Sequence, residues 1–234
     1  MVKHTTATNQ RLASLSRFMQ ILDGTFPSGI FVHSFGLEPH IIKWIVKDIT
    51  TLKLYLNNLI LDQYMRLEFV IIKKVYENLQ EDKVNKIYSM DNKYSSLMTY
   101  EYSKASTNIG YNYYTQIKNH ISKSVVQNYF DAIENKKSDG NEIVVLSSYA
   151  FDLDICMEDF IVMRCKKNLI NISATALKIS RIKPSEIQQM LFQFDEILGN
   201  LEFEKLGDKI TNFNPLFEEV IFAHKNLEPK MFVT

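Results

Sequence analysis

The amino-acid sequence predicts an all-α protein, a single-domain bundle of about ten helices, on three observations. Apolar residues recur at spacings of three and four through most of the chain. Seven Gly and five Pro among 234 residues are too few for the many turns of an all-β fold. The one run with strand propensity, Ile143-Val144-Val145-Leu146, is short and solitary; it cannot make a sheet and reads as buried helix.

The first helix is expected over 11 to 23, where Leu12, Leu15, Phe18, Met19 and Leu22 alternate with Arg11, Ser14, Ser16 and Gln20. It ends at Asp23-Gly24. Gly24, Pro27 and Gly29 punctuate a loop, and Ser34 is placed to cap a second helix that carries Glu38 in its first turns, where a carboxylate suits the helix dipole. From Thr51 to Leu79 the apolar series Leu54, Leu56, Leu59, Ile60, Tyr64, Leu67, Val70, Ile71, Val75 contains neither Pro nor Gly, as one long helix or two collinear ones require. Further helices are expected near 83–98, 101–120, 124–137, 154–181, 185–200 and 215–228. Lys136-Lys137-Ser138-Asp139-Gly140 reads as the clearest surface loop between them. The expected division is a flexible stretch at 1–10, a helical domain at 11–213, and a C-terminal helix and tail at 214–234.

Composition excludes several functions. Apolar residues are 46% and aromatics 12%, the make-up of a folded chain rather than a disordered one. Lys plus Arg and Asp plus Glu are 27 each, so no net field draws the chain to phosphate backbones or anionic membranes, and neither nucleic acid nor membrane is an expected partner. A chain without net charge also lacks colloidal repulsion, which fits a member of a complex. Cys156 and Cys165 are nine positions apart, half a turn out of phase on a helix, so no disulfide is expected and the thiols read as reduced. The opening MVKHTTATNQ has no apolar core for a signal peptide, and no window reaches the roughly 18 apolar residues of a membrane span. A soluble, cytosolic protein is expected.

Catalytic readings of residues 23–38 fail on chemistry. Gly24 and Gly29 have the separation of a phosphate loop, but Ile30 and Phe31 stand where Lys and Ser/Thr would bind phosphate and magnesium. Ser28 lacks the flanking glycines of a nucleophile elbow, and adjacent His33 and Ser34 turn apart on a helix. The histidines are His4, His33, His40, His120 and His224, and none forms an i, i+3 or i, i+4 pair; His33 and His40 would be about 10 Å apart along a helix. No cofactor or stable metal site is expected in this chain, and His33 reads as a hydrogen-bonded histidine at a helix start. Five tyrosines, Tyr100, Tyr102, Tyr111, Tyr113 and Tyr114, surround Gly110, whose presence in a helix signals close approach of another backbone. Tyrosine suits a contact surface as well as a core. The apolar end, with Phe232 near its close, either frays or docks.

In these same places the sequence resembles the UreF family of urease accessory proteins. FPSGIFVHSFGLE is similar to the family's N-terminal signature at Pro27, Gly29, His33, Ser34, Gly36, Leu37 and Glu38; EYSKASTNIGYNYY to its central motif at Glu101 and Gly110; and AHKNLEPKMF to its closing segment at Ala223, His224 and Phe232. It departs from the family at Ser103, at His224-Lys225, at Lys230-Met231 and at Arg181-Ile182-Lys183-Pro184, which stands for a Pro-Leu-Gly-Gln stretch and leaves only Gln188 of its polar positions. The resemblance implies an all-α homodimer without catalysis of its own. It would act as a scaffold that bridges UreH (also called UreD) and the GTPase UreG, with apo-urease as the protein activated. Nickel would be handled by that complex and not held by this chain, with a transient nickel contact at His33 as the competing role. The tail, with Lys230 and Phe232, would dock on UreH. Two alternatives stand beside this: direct modulation of the partner's GTP hydrolysis, for which Arg11, Arg17, Arg66, Arg164 and Arg181 are the candidate arginines, and a hydrolase using His33.

Overall fold

The structure, a computed structural model, describes residues 6–30, 34, 36–211, 220 and 231–232, with the side chains of 6 and 7 left aside. No strand occurs among them, so the all-α expectation holds. The expected helix at 215–228 lies outside the described residues except for Val220. His33, His224 and Lys230 also lie outside them. The chain forms two compact units, residues 1–29 with 71–161, and residues 30–70 with 162–234.

In the first unit, α1 spans Thr6–Leu22 and so begins five residues before the expected start. Its apolar stripe is also not the expected one. Phe18 and Ile21 are buried, whereas Leu12 is 52% and Met19 73% exposed, because the covered face is set by what packs on it and not by periodicity alone. Helices α5 (Val84–Leu97), α6 (Tyr100–Ile117) and α7 (Ser124–Glu134) follow the predicted periodicity closely. The apolar run at 143–146 is helix, within α8 (Glu142–Asp152), and it is buried nearly all round as a central helix must be. The same unit buries Phe18, Tyr113, Tyr129, Phe130 and Phe160, all within 1% of complete burial. Asp152 ends α8 and accepts the backbone N–H groups of Ser122 (3.0 Å) and Lys123 (2.6 Å), fixing the approach to α7.

The second unit holds α2 (Leu37–Ile42), α3 (Ile49–Asn58) and α10 (Pro184–Gly199), and most of α9 (Met157–Ile179). Ser34 does not cap α2. The N-cap is Gly36, at φ 82°, a conformation glycine adopts without a Cβ penalty, and it displaces the helix start by two residues. At the other end α2 stops on a Schellman turn: Trp44 N–H bonds Ile41 O (3.0 Å) and Ile45 N–H bonds His40 O (2.9 Å). α3 begins with a capping box in which Asp48 Oδ1 accepts Thr51 N–H at 2.8 Å and Thr51 Oγ1 accepts Asp48 N–H at 3.0 Å. Pro184 opens α10 at a position where its missing N–H costs nothing.

The long helix expected from 51 to 79 is continuous but changes pitch. Between α3 and α4 (Phe69–Gln80), residues Leu59–Glu68 form a π-helical segment, closed by Phe69 N–H on Tyr64 O. The wider turn brings both Tyr64 (4% exposed) and Glu68 (6%) to buried positions. In the second unit Glu68 meets Arg164 of α9, Arg164 Nη1 donating to Glu68 Oε2 at 2.5 Å.

Candidate contact surfaces and their supports

Four supports hold the residues singled out by sequence. The first is in the loop after α1. Asp23 accepts Thr25 N–H at 2.8 Å and also bonds the Thr25 hydroxyl, which holds its carboxyl below the usual range. Phe26 stacks on Tyr113 of α6 (centroids 5.3 Å apart), and Asn112 Nδ2 donates to Ser28 O at 3.0 Å. Gly29 follows at φ 78°, where a Cβ would come 3.3 Å from Asn112 Nδ2. Pro27 and Gly29 are exposed, while Ser28 between them is buried. These residues shape a turn clamped to α6, and Ser28 meets its neighbours through its carbonyl.

The second support is Gly110. The sequence reads it as a point of close backbone approach, and the structure supplies that backbone. A Cβ there would lie 1.9 Å from Gly140 O and 2.8 Å from Glu142 N. α6 therefore crosses the start of α8 with main chain against main chain. Of the five tyrosines, Tyr113 and Tyr114 are core, while Tyr100 (72%) and Tyr111 (58%) are exposed. Glu101 sits in the first turn of α6, where its carboxylate suits the helix dipole.

The third support was not legible in the sequence. Asp91 of α5 is fully buried and accepts Tyr129 Oη–H (3.0 Å), Ser138 Oγ–H (2.6 Å), Gly140 N–H (2.8 Å), Asn141 N–H (3.1 Å) and Asn141 Nδ2–H (2.8 Å). Burial pushes its carboxyl up, and the donated hydrogen bonds pull against that rise. The loop at 136–140, expected on the surface, is thereby half drawn in: Ser138 is 5% exposed and Gly140 is buried. A buried carboxylate needing donors, facing a loop rich in them, overrides the loop's polar composition.

The fourth support is Glu38, 1% exposed. Its Oε1 accepts Met231 N–H at 2.7 Å and its Oε2 accepts Phe232 N–H at 3.3 Å. Phe232 is 8% exposed, with Lys178 Nζ 5.5 Å from its ring centroid. The signature glutamate and the terminal phenylalanine, 194 positions apart, therefore meet. Phe232 thus lies against its own chain. His40, one turn beyond Gly36, donates Nδ1–H to Gly36 O at 2.6 Å and packs edge-on to Tyr55. Burial lowers its pKa, keeping the ring neutral.

Leu37 is core, Ser34 is buried, and Gln188 is exposed on α10 one turn before Phe192, itself 71% exposed. The Ser34 hydroxyl has no hydrogen-bond partner among the described residues. No three His, Cys, Asp or Glu side chains come together as a metal set among the described residues. No helix of the described chain is long and apolar enough to cross a membrane. Both cysteines are free; burial first, then the Glu68 carboxylate, pushes the Cys165 thiol up to about 12.

Comparison with known proteins agrees with the resemblance in the motifs. Residues 46–195 match the UreF family. The chain is 25% identical over 236 aligned positions, 97% of this chain and 99% of the relative, to the urease accessory protein UreF of Ureaplasma parvum serovar 3. It is 26% identical, at the same coverage, to that of Ureaplasma urealyticum serovar 10. It is 23% identical to that of Bacillus sp. (strain TB-90), over 96% of this chain and 99% of the relative. With an all-α fold and a family match across well over half of its length, the chain belongs to the UreF family.

Proposed function

We propose that this chain is a urease accessory protein, a non-catalytic dimeric scaffold that bridges UreH/UreD and the GTPase UreG during maturation of the urease nickel site. The observation that carries the proposal is likeness over almost the whole chain to proteins named urease accessory protein UreF. The supports described above agree with it. The polar residues Glu38, His40 and Asp91 make hydrogen bonds inside the chain to the backbone of Met231, Gly36 and Gly140, which suits a structural role for them.

The test is activation of apo-urease by nickel and the partner accessory proteins, with and without this protein, together with co-elution of the purified proteins. The expected result is active urease only when this chain is present, and a complex that contains it. Equal activation in its absence would overturn the proposal.

Direct modulation of GTP hydrolysis remains a second reading because Arg11, Arg17, Arg66 and Arg181 are exposed. Arg164 is not: it is 4% exposed and bound to Glu68, so it cannot reach into a partner's nucleotide site. A large rise in UreG turnover that one Arg→Ala change abolishes would favour this reading over the passive scaffold.

A further inference from the structure

We infer that the turn Ile42–Ile45, centred on Trp44, is a docking knob for a different protein, one that offers an apolar cleft bordered by carboxylates. The inference rests on reading the chain as a member of a multi-protein assembly. Trp44 is the only tryptophan of the chain. It sits at φ 58°, in the left-handed position of the Schellman turn that ends α2. That position favours glycine, because any Cβ there crowds the following carbonyl, and a bulky side chain is an outlier in it. Strain of this kind is retained where burial gives a return. Here it gives none, since Trp44 is 78% exposed. Asp82, Lys136 and Asp154 hold a similar φ, and of the four Trp44 is the one aromatic.

The indole has company. Ile42 is 47% exposed and Ile45 48%. Three apolar side chains thus stand exposed together at the end of α2, with tryptophan among the residue types most enriched in interface hot spots. The charged side chains beside them in the chain choose the partner: along residues 39–53 the exposed ionic ones are Lys43, Lys47, Lys53 and Asp48, three cations to one anion. A second copy meeting this knob about a two-fold axis would set lysine against lysine, whereas carboxylates around an apolar cleft would complement it.

The lone indole reports directly on its surroundings. Purified UreH/UreD and UreG are added one at a time to the full chain; co-elution and melting temperature are recorded for wild type, Trp44→Gly, Trp44→Phe and the pair Lys43→Glu, Lys47→Glu, and Trp44 emission, after subtraction of the partner's own, for wild type and the charge-reversed pair, which keep the one indole. With one of these proteins, wild-type emission should shift to the blue. Trp44→Gly should bind that protein at least about 30-fold more weakly, as loss of an aromatic anchor does, while melting no lower than wild type because glycine suits the turn. Trp44→Phe should retain most of the affinity, and the charge-reversed pair should associate more slowly with unchanged melting. Co-elution with unmoved emission and unchanged Trp44→Gly binding would overturn the knob and leave the scaffold standing. So would a Trp44→Gly protein that melts lower, which would make the indole structural, or a blue shift with protein concentration alone, which would make the occupant a second copy. Failure of every candidate to co-elute would overturn the scaffold reading and this inference together.

Discussion

Gly110 of α6 and Gly140, two residues before α8, meet so closely that a Cβ on Gly110 would fall 1.9 Å from the Gly140 carbonyl oxygen. Two effects of opposite sign act on Gly110→Ala. Alanine gains about 1 kcal/mol of helix propensity, but the new methyl overlaps backbone, which has no rotamer to yield. Overlap wins, and a loss of about 3 kcal/mol or more is expected, which lowers the melting temperature by roughly 10 °C for a chain of this size. Gly110→Leu should be worse. Thermal melting of the two variants checks this; an alanine variant as stable as wild type would contradict it.

Asp91 organises the same crossing. Asp91→Ala would remove the acceptor of two backbone N–H groups, Gly140 and Asn141, and of the Tyr129 and Ser138 hydroxyls, all buried. Each orphaned buried donor costs about 1–3 kcal/mol, so a loss of about 4 kcal/mol is expected, among the largest a single change produces. Urea unfolding measures it. Amide exchange should accelerate first at Gly140 and Asn141; uniform acceleration across α5 to α8 would instead mean that Asp91 holds no particular loop.

Much of the fold was legible because periodicity survives burial. Helices α5, α6 and α7 begin within a residue of their expected starts, and Gly110 announced a backbone crossing because a helix gives up stability to keep a glycine. Other features carry no mark. The π-helical segment Leu59–Glu68 has no Pro or Gly to flag it, since register alone distinguishes it from α-helix. Asp91 and Glu68 read like any acidic residues, and Glu38, although marked by the N-terminal motif, gives no sign of its burial, because burial of a carboxylate is decided by donors dozens to hundreds of positions away. Ser34 was expected at a cap because its type suits one, yet Gly36 supplies the φ that the helix start requires. Of the three boundaries between the two units, that at 29/30 falls in the loop punctuated by Gly24, Pro27 and Gly29, whereas those at 70/71 and 161/162 fall inside helices, where composition does not shift.

The buried pair of Glu68 and Arg164 should respond asymmetrically to change. Arg164→Met removes the guanidinium whose Nη1 lies 2.5 Å from the Glu68 carboxylate, and losing one member of a buried pair costs about 3–5 kcal/mol. Replacing both, Glu68→Gln with Arg164→Met, should recover a large part of that loss, because no buried charge then remains to be solvated. A double-mutant cycle in urea decides. Simple additivity of the two changes would show that the pair is not coupled.

Cys165 lies beside that pair, and its thiol is held at about 12. The thiolate is the reactive form, so at pH 8 iodoacetamide should label the exposed Cys156 and leave Cys165 untouched until the chain unfolds, a difference of about 100-fold or more in rate. Mass spectrometry of the labelled peptides reads it directly. Equal labelling in the native protein would mean that water reaches the interior around α9.

His40 sets the response to acid. Its pKa is lowered in the folded chain, first by burial and further by Lys43, against a raising contribution from its bond to Gly36 O. The unfolded chain, with its ordinary value near 6.5, therefore takes up the proton first as pH falls. The stability His40 contributes is fully present above pH 6.5 and is lost as pH drops through the folded value, at about 1.4 kcal/mol for each unit separating the two. Wild type should accordingly melt lower at pH 5 than at pH 7. His40→Gln can still donate toward Gly36 O and does not titrate, so its melting temperature should change less over the same interval. Parallel melting curves for the two proteins between pH 7 and 5 would remove His40 as the cause.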